Sequence, residues 1–538
     1  MKHVLQKILG VIVLLLAWIV YALTNAGPSG PASVMSDVNS GLQSAIVDDD
    51  YRTTYEVFVY SFADSDSDGI GDLKGLTDRL DYISDLGFNQ IWLMPVCPSP
   101  TYHKYDVTDY MNIDPQYGTM EDYDRLISEC HQRGIRVIID LVLNHTSSQH
   151  PWFTEAVNYI RTLPVGSQID AAECPYAEYY NFTGNGGSGF ASVQGTGWYY
   201  EARFWDGMPD LNLDNQAVRD EIDQIIGFWS EHGTDGFRLD AVTSYYTGNP
   251  DKNIGFLKWV NDTANKYNPD SYIVCEGWEN QDSYARYYAS GVDSMFDFAF
   301  ADASGMIAKT LLGNCSARDY GNALEREWQL FQSYQQTAVN APFYTNHDMG
   351  RGAGYYAGDD GRKTKTALAM NLFTTGNAFI YYGEELGMKG SGKDENKRAP
   401  MYWSTDAAYA GMTSGPPYMD AFEMKFPSYE EQKDDPYSIY NYVKQAMKIR
   451  NAFPVIARGR TWVHQDLTTD QVCILLKEDN EHAPCAIVMN LSDAEQTVNM
   501  SNTEFHQLKA VLTVNDTAVS YGNNTLVLPP YGIAVLTE

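Results

Sequence analysis

The sequence predicts an α/β protein: a (β/α)₈ TIM barrel, with an inserted subdomain after its third strand and a C-terminal antiparallel β-sandwich. From Tyr55 onward, apolar runs of strand length alternate with segments of helical periodicity, which indicates a parallel sheet. Eight such runs favour a closed barrel over an open sheet, and the chain has no glycine-rich dinucleotide loop. After about residue 454 the pattern changes to short alternating strands, typical of an antiparallel β domain.

The apolar runs locate the elements in order. The eight predicted strands are residues 55–62, 88–96, 135–143, 236–241, 271–277, 294–299, 341–347 and 378–382. Apolar residues at helical spacing from Leu73 to Leu86 predict the first barrel helix. Thr119 and Asn215 are predicted caps of two later helices, which end at Gly134 and Gly233.

One long segment interrupts the alternation. Residues 146–210 are rich in Gly, Tyr and Asn and too long for an ordinary loop, so we interpret them as an inserted domain. They follow the third strand, on the face where barrel enzymes carry their active sites. The predicted barrel is therefore residues 49–145 and 211–454, and the C-terminal β-domain is residues 455–538.

The N-terminal residues resemble an export leader. Lys2 and Lys7 precede an apolar run, 8–23, and small residues permit cleavage after Ala26. We interpret residues 1–26 as a cleaved signal peptide, with an uncleaved membrane anchor as the alternative, and residues 27–48 as a flexible spacer. The protein is then secreted or, in the alternative, membrane-anchored with its barrel domain outside.

Composition narrows the classes of partner. A formal net charge of −33 repels phosphate backbones, which argues against a nucleic-acid partner. The 39 Tyr against 21 Phe supply rings with a polar edge, which match the faces of sugars. Seven cysteines without a CxxC pair speak against a disulfide framework or a zinc site, although Cys473 and Cys485 lie on neighbouring predicted strands and are candidates to pair.

We expect the protein to be a monomer.

Charged residues lie at the ends of the apolar runs. Strand alternation places Arg238 and Asp240 on one face of the fourth strand, and Glu276 inward on the fifth. Neighbouring strands lie ~4.8 Å apart, so we expect the carboxyl groups of Asp240 and Glu276 to lie close together. On the seventh strand Asp348 has the opposite parity to His347, so both reach the interior only if the chain bends there.

Four of these segments resemble the conserved regions of the α-amylase family, glycoside hydrolase family 13. They are Asp140-Leu-Val-Leu-Asn-His145, Gly236-Phe-Arg-Leu-Asp240, Glu276-Gly-Trp278 and Asn346-His-Asp348, in family order. The resemblance implies that Asp240 is the nucleophile, Glu276 the general acid/base and Asp348 a third acid that binds sugar hydroxyls. The substrate-binding residues that it implies are Tyr105, His145, Arg238, His347 and Arg351.

Further segments refine the resemblance. Residues 208–212, Met-Pro-Asp-Leu-Asn, resemble the form found in a group intermediate between oligo-1,6-glucosidases and neopullulanases. Residues 103–110 are similar to the loop that carries the stacking Tyr105, although Lys104 stands where Gly is common. Residues 398–403 are similar to a run typical of oligoglucosidases. Thr243 and Ser244 replace a Lys-His pair that is usual in α-amylases.

An acidic loop follows the first strand. Its carboxylates alternate around a Gly turn and can converge on one Ca²⁺, with a carbonyl adding an oxygen. The predicted ligands are Asp64, Asp66, Asp68, Ile70 and Asp72. The twelfth position is Gly75 and not Glu, so the loop is not an EF-hand; in the family it resembles, such a loop holds a structural calcium.

The expected substrate is an α-glucan. Ala241 follows the nucleophile where α-1,6-specific relatives usually have Val, which favours α-1,4 bonds and an α-amylase acting on starch and maltooligosaccharides. An α-glucosidase, oligo-1,6-glucosidase or neopullulanase-like specificity is the alternative. A non-catalytic, membrane-anchored member of the family is the alternative of a different class, and the presence of Asp240, Glu276 and Asp348 argues against it.

Overall fold

A parallel sheet curls into the predicted barrel in the computed structural model, which describes residues 32–43 and 50–538. Seven of its strands are Thr54–Val57, Gln90–Leu93, Arg136–Leu141, Gly236–Leu239, Tyr272–Cys275, Ser294–Met295 and Phe379–Tyr381. Neighbours in this order pair in parallel from the first to the sixth, and the last strand pairs with the first, Ile380 opposite Tyr55.

The remaining predicted strand closes the barrel through isolated contacts. Parallel bridges join Ala341 to Phe296 and Phe343 to Phe379. Pro342 lies between these bridges and has no N–H to donate, which limits this segment to single bridges. The first predicted strand is also shorter than expected, because Val59–Phe62 forms a buried helical turn; a short apolar run does not distinguish a buried strand from a buried helix.

Helices surround the barrel. Thr119 forms a capping box with Asp122, and the Asn215 side chain accepts a hydrogen bond from the N–H of Ala217, so both predicted caps are present. The barrel helices are Leu73–Asp78, Leu80–Leu86, Met120–Gln132, Gln216–Glu231, Pro250–Tyr267, Gln281–Ala285, Met306–Leu311, Ala317–Tyr334, Arg362–Leu372 and Ile439–Ala452. Short helices are Asp394–Lys397, Tyr429–Gln432 and Val455–Arg458.

The insertion leaves the barrel after the third strand, as predicted. It contains the helix Pro151–Ile160 and a small antiparallel sheet whose strands are Phe182–Thr183, Phe190–Ser192 and Tyr199–Glu201. An antiparallel bridge between His145 and Asp210 joins its two ends, and a second antiparallel bridge joins Tyr180 in its middle to Leu211. The insertion therefore stands at the end of the barrel where the third strand finishes.

Two antiparallel sheets form the C-terminal domain, which confirms the predicted β domain. One sheet has the order Arg460–Val463, Val472–Glu478, Cys485–Asn490, Ile533–Thr537 and Gln507–Leu512. The other has the order Ala32–Val34, Ala518–Gly522, Thr525–Leu528 and Gln496–Asn499. The first of these four strands comes from the N-terminal part of the chain.

The predicted flexible spacer, residues 27–48, is wrong for residues 32–43. The strand Ala32–Val34 pairs with the sheet edge at residues 518–520, and the helix Met35–Ser40 follows it. The Asn39 amide donates to the carbonyl of Val511 and accepts from its N–H, and Met35 is buried. A composition rich in small polar residues does not reveal this edge pairing. Residues 27–31 and 44–48, and the predicted leader 1–26, lie outside the described residues.

Among the helices of residues 32–43 and 50–538, none is long and apolar enough to cross a membrane. All seven cysteines are free, so the pairing of Cys473 with Cys485 is wrong. The strand register explains this: Cys473 lies opposite Met489 and Cys485 opposite Lys477, four residues away along the pair.

Candidate active site

One buried guanidinium gathers the carboxyl groups at the ends of three barrel strands. Arg238 Nη1 lies 2.8 Å from Asp140 Oδ1 and 2.6 Å from Asp240 Oδ1, and Nη2 lies 3.0 Å from Glu276 Oε1. The three acids come from the third, fourth and fifth strands, whose ends meet at one edge of the sheet. The two carboxyl groups that the sequence predicts as nucleophile and acid therefore share a single cation.

The surroundings set the charge of these acids. Burial, opposed by Arg238 and reinforced by Asp240, raises the pKa of Glu276 to about 7. Burial likewise raises the pKa of Asp140 to about 6 against the pull of Arg238. Glu276 Oε2 also accepts from the N–H of Ala241 at 3.0 Å. At neutral pH a large fraction of Glu276 thus carries the proton that a general acid needs.

A second network surrounds Asp348. Its Oδ2 lies 3.1 Å from Nε2 of His347, and its Oδ1 accepts from Arg398 at 2.8 Å. Desolvation opposes ionisation, but His347 and Arg398 outweigh it and lower the pKa of Asp348. The side chain keeps 32% of its surface exposed, so a charged carboxylate is accessible to a ligand in the cleft.

His347 joins the two networks. The chain has left the strand before Asn346, so strand alternation no longer applies and the imidazole turns inward. This is the bend that the opposite parity of His347 and Asp348 predicted. Tyr105 OH lies 2.8 Å from His347 Nε2 and donates to Asp140 Oδ2 at 2.9 Å, and the two rings stack at 5.5 Å. Burial opposes a charged imidazole, but Asp348 and Glu56 raise the pKa of His347 to about 9.

His145 lies beside these networks. Burial lowers its pKa, so the ring is neutral at pH 7. Its Nε2 atom is buried with no hydrogen-bond partner among the described residues, and the ring centroid lies 5.3 Å from that of Phe204. A buried nitrogen without a partner is costly unless a ligand supplies one.

Arg351 is the predicted site residue that the structure places apart. Its guanidinium donates to the carbonyls of Tyr382 at 2.6 Å and Lys397 at 3.0 Å and lies over the Tyr381 ring. These contacts bury the side chain among the segments behind Asp348. The guanidinium thus connects the segments that contain Tyr382 and Lys397 by hydrogen bonds.

Residues outside the predicted set also belong to the site. Glu56 on the first strand and Arg398 contact His347 and Asp348 directly. Half-exposed aromatic rings lie beside the predicted residues: Trp278 follows Glu276 by two positions and stacks on Phe298, and Phe204 contacts His145. A charged residue within an apolar strand was a readable signal for Glu56, and Trp278 lies in the segment Glu276-Gly-Trp278 that resembles the family. Phe204 had no signal beyond the overall aromatic content.

The acidic loop brings together part of its predicted ligand set. Oxygen atoms of Asp64, Asp66 and Asp72 lie within 4.8 Å of one another. Asp68 is not in this group, and its Oδ1 accepts from the N–H of Ile70 at 2.7 Å. Three converging carboxylates on a tight turn fit the hard oxygen donors that Ca²⁺ prefers.

Known proteins match the chain over most of its length. The family described as "Alpha amylase, catalytic domain" matches residues 56–459. "Alpha-amylase 3" of Dictyoglomus thermophilum is 37% identical over 90% of this chain and 92% of its own. "Probable oligo-1,6-glucosidase 3" of Bacillus subtilis is 29% identical over 89% and 97%. The solved structure of Eubacterium rectale Amy13B has a TM-score of 0.92 and 50% identity, covering 94% of this chain and 99% of that one. The chain is a member of the α-amylase family of glycoside hydrolases.

Proposed function

We propose that the protein is a retaining α-amylase that cleaves α-1,4-glucosidic bonds in starch and maltooligosaccharides. The observation that carries the proposal is the shared guanidinium. Arg238 holds Asp240 and Glu276 side by side. Burial raises the pKa of Glu276 to about 7, and Asp240 accepts a short hydrogen bond from the cation. A charged and a protonated carboxyl group beside one another are the pair that retaining hydrolysis uses.

The reaction then proceeds in two displacements. Asp240 attacks the anomeric carbon while Glu276 gives its proton to the glycosidic oxygen, so the leaving chain departs as an alcohol and a glycosyl ester forms on Asp240. The Glu276 carboxylate next takes a proton from water, which attacks the same carbon and frees Asp240. Asp348, held by Arg398 and His347, accepts hydrogen bonds from sugar hydroxyls in both steps.

The bond specificity rests on a finer argument. Ala241 after the nucleophile favours α-1,4 linkages, and the relative that shares 37% identity is named an α-amylase. An oligo-1,6-glucosidase, α-glucosidase or neopullulanase-like specificity is the second candidate, because another relative is named an oligo-1,6-glucosidase and residues 208–212 resemble the intermediate group.

A product profile separates these candidates. The purified chain is incubated with amylose, pullulan and isomaltose, and the products are separated by chromatography. Maltooligosaccharides from amylose, with isomaltose intact, support the proposal; glucose from isomaltose supports the second candidate. Asp240→Asn is the control for contaminating activity, and equal release by both proteins on all three substrates refutes the enzyme assignment.

Two accompanying features belong to the same proposal. Asp64, Asp66 and Asp72 hold a structural Ca²⁺, which stabilises the loop after the first strand and takes no part in bond cleavage. The leader-like composition of residues 1–26 supports secretion, with membrane anchoring as the alternative. An external location suits an enzyme whose substrate is a polymer too large to enter a cell.

A further inference from the structure

A second cavity lies at the opposite end of the barrel from the catalytic carboxylates. Its volume is about 410 Å³, and Tyr51, Asn340 and Thr375, which line it, precede the first, seventh and eighth strands. The strand ends that carry Asp240 and Glu276 are at the other face. One wall is the barrel helix Ala317–Tyr334, and another is the edge strand Arg460–Val463 of the C-terminal domain. The cavity is therefore separate from the catalytic cleft.

The side-chain amide of Asn340 is buried in the lining of the cavity. Asn340 is only 8% exposed, and its Nδ2 donates to Glu327 Oε1 at 2.8 Å, which fixes the orientation of the amide. Its Oδ1 atom is buried with no hydrogen-bond partner among the described residues. The hydrogen bond to Glu327 therefore holds this amide in one orientation in the wall of the cavity.

The other lining groups define the chemistry of that ligand. Trp328 offers a half-buried ring, 6.2 Å from the ring of Trp462. The charged residues of the lining carry both signs, Arg458 and Arg460 against Glu327, Glu478 and Asp479, and Arg460 is paired with Glu478. A net charge of −33 on the chain further disfavours an anionic ligand. An aromatic face with hydroxyl and amide groups, and balanced charge, suits a neutral polyhydroxylated ring.

We propose that this cavity is a second, non-catalytic binding site for a glucose unit of an α-glucan. The choice of α-glucan rests on the proposed function, whereas the preference for a neutral sugar rests on the cavity alone. A polymer long enough to occupy both sites gains from linked binding, and a short oligosaccharide does not. The site thus strengthens the binding of starch and does not change bond cleavage in the catalytic cleft.

Retention in a native gel that contains soluble starch tests the proposal, with Asp240→Asn as the parent so that the polymer survives. Trp328→Ala removes the ring, and Ala338→Phe fills the cavity, since Ala338 lines it. We expect each to weaken the apparent affinity for starch about tenfold, as loss of an aromatic anchor does. Trp259→Ala is the matched control: it removes a half-buried tryptophan of another barrel helix, outside the cavity lining, and should migrate as the parent does.

The outcomes separate this inference from the proposed function. In the active background, both cavity variants should raise KM for starch and leave kcat/KM for a short chromogenic maltoside within about twofold of wild type. If Ala338→Phe, folded as judged by its unfolding midpoint, is retained like the Trp259→Ala control, the cavity binds no glucan and the inference is overturned. If the wild type hydrolyses no glucan but both cavity variants lose retention, the proposed activity fails and the binding site stands.

Discussion

Nδ1 of His347 lies 2.6 Å from Oε1 of Glu56, and both side chains are 1% exposed inside the barrel. Glu56 comes from the first strand, whereas the acids that resemble catalytic residues come from the fourth, fifth and seventh. Burial alone would lower the pKa of His347, but Asp348 and Glu56 outweigh burial and raise this pKa to about 9. Glu56 is therefore a positioning residue that keeps the imidazole charged beside Asp348.

Replacing Glu56 by Gln should lower the pKa of His347. The imidazolium loses a carboxylate partner, while burial, which favours the neutral ring, remains. Nuclear magnetic resonance titration of labelled histidine measures the change directly, and Glu56→Asp is the conservative control that should restore part of it. An unchanged His347 titration in the folded Gln variant contradicts the assigned role, whatever happens to the activity.

Glu276→Gln should lower kcat on starch by about 10²–10⁴-fold, because the amide has no proton to give to the glycosidic oxygen. An α-glucosyl fluoride needs no such proton for its leaving group, so the first step on that substrate should be largely retained. Burst kinetics with the fluoride check this. An equal loss on both substrates means that Glu276 is not the acid.

The alkaline limb of the pH profile should report Glu276. Its pKa is raised to about 7, chiefly by burial, and the acid is active in its protonated form, so kcat/KM on starch should fall about tenfold per pH unit above that value. The same profile measured with the glucosyl fluoride should show a weaker decline. A profile that stays flat to pH 9 contradicts the role assigned to this carboxyl group.

Asn39→Ala should lower the free energy of unfolding by about 1–3 kcal/mol, because the buried N–H and carbonyl of Val511 both lose their partner. Urea unfolding measures the difference. Ser36→Ala is the control on the same helix, since Ser36 is exposed and its hydroxyl donates to the neighbouring Asp37. Equal stability of the two variants would mean that residues 32–43 do not remain attached to the C-terminal domain.

Removal of Ca²⁺ by a chelator should lower the unfolding temperature. An ion at about one hundred times its dissociation constant contributes about 2.7 kcal/mol to the native state. Asp64→Asn should abolish the effect, whereas Asp68→Asn should retain most of it, because Asp68 lies outside the converging group. A chelator effect of equal size in wild type and Asp64→Asn places the ion elsewhere.

The barrel and the acids that cluster at its strand ends were predictable because their signals are local. A strand that ends in Arg238 and Asp240, or in Glu276, carries its charge at a fixed position in an apolar run, and alternation then gives the direction of each side chain. The helix caps at Thr119 and Asn215 follow from the same kind of short-range rule.

What the sequence did not reveal depends on contacts between distant segments. The Ala32–Val34 strand has no distinctive composition, and only the free edge at residues 518–520 makes it a strand. Arg351 closely follows the segment Asn346-His-Asp348, yet its guanidinium turns toward the Tyr382 and Lys397 carbonyls. The Cys473 and Cys485 prediction was wrong because neighbouring strands alone do not fix the register.

The attachment of the N-terminal strand has a consequence for the order of folding. Asn39 and Val511 are 472 residues apart, so their contact is among the last that synthesis makes available. Contacts of such long range carry a large loop-closure entropy and form late. Until residues 511–520 have been made, a nascent chain therefore leaves the Ala32–Val34 strand without its partner edge and Asn39 without its hydrogen bonds to Val511.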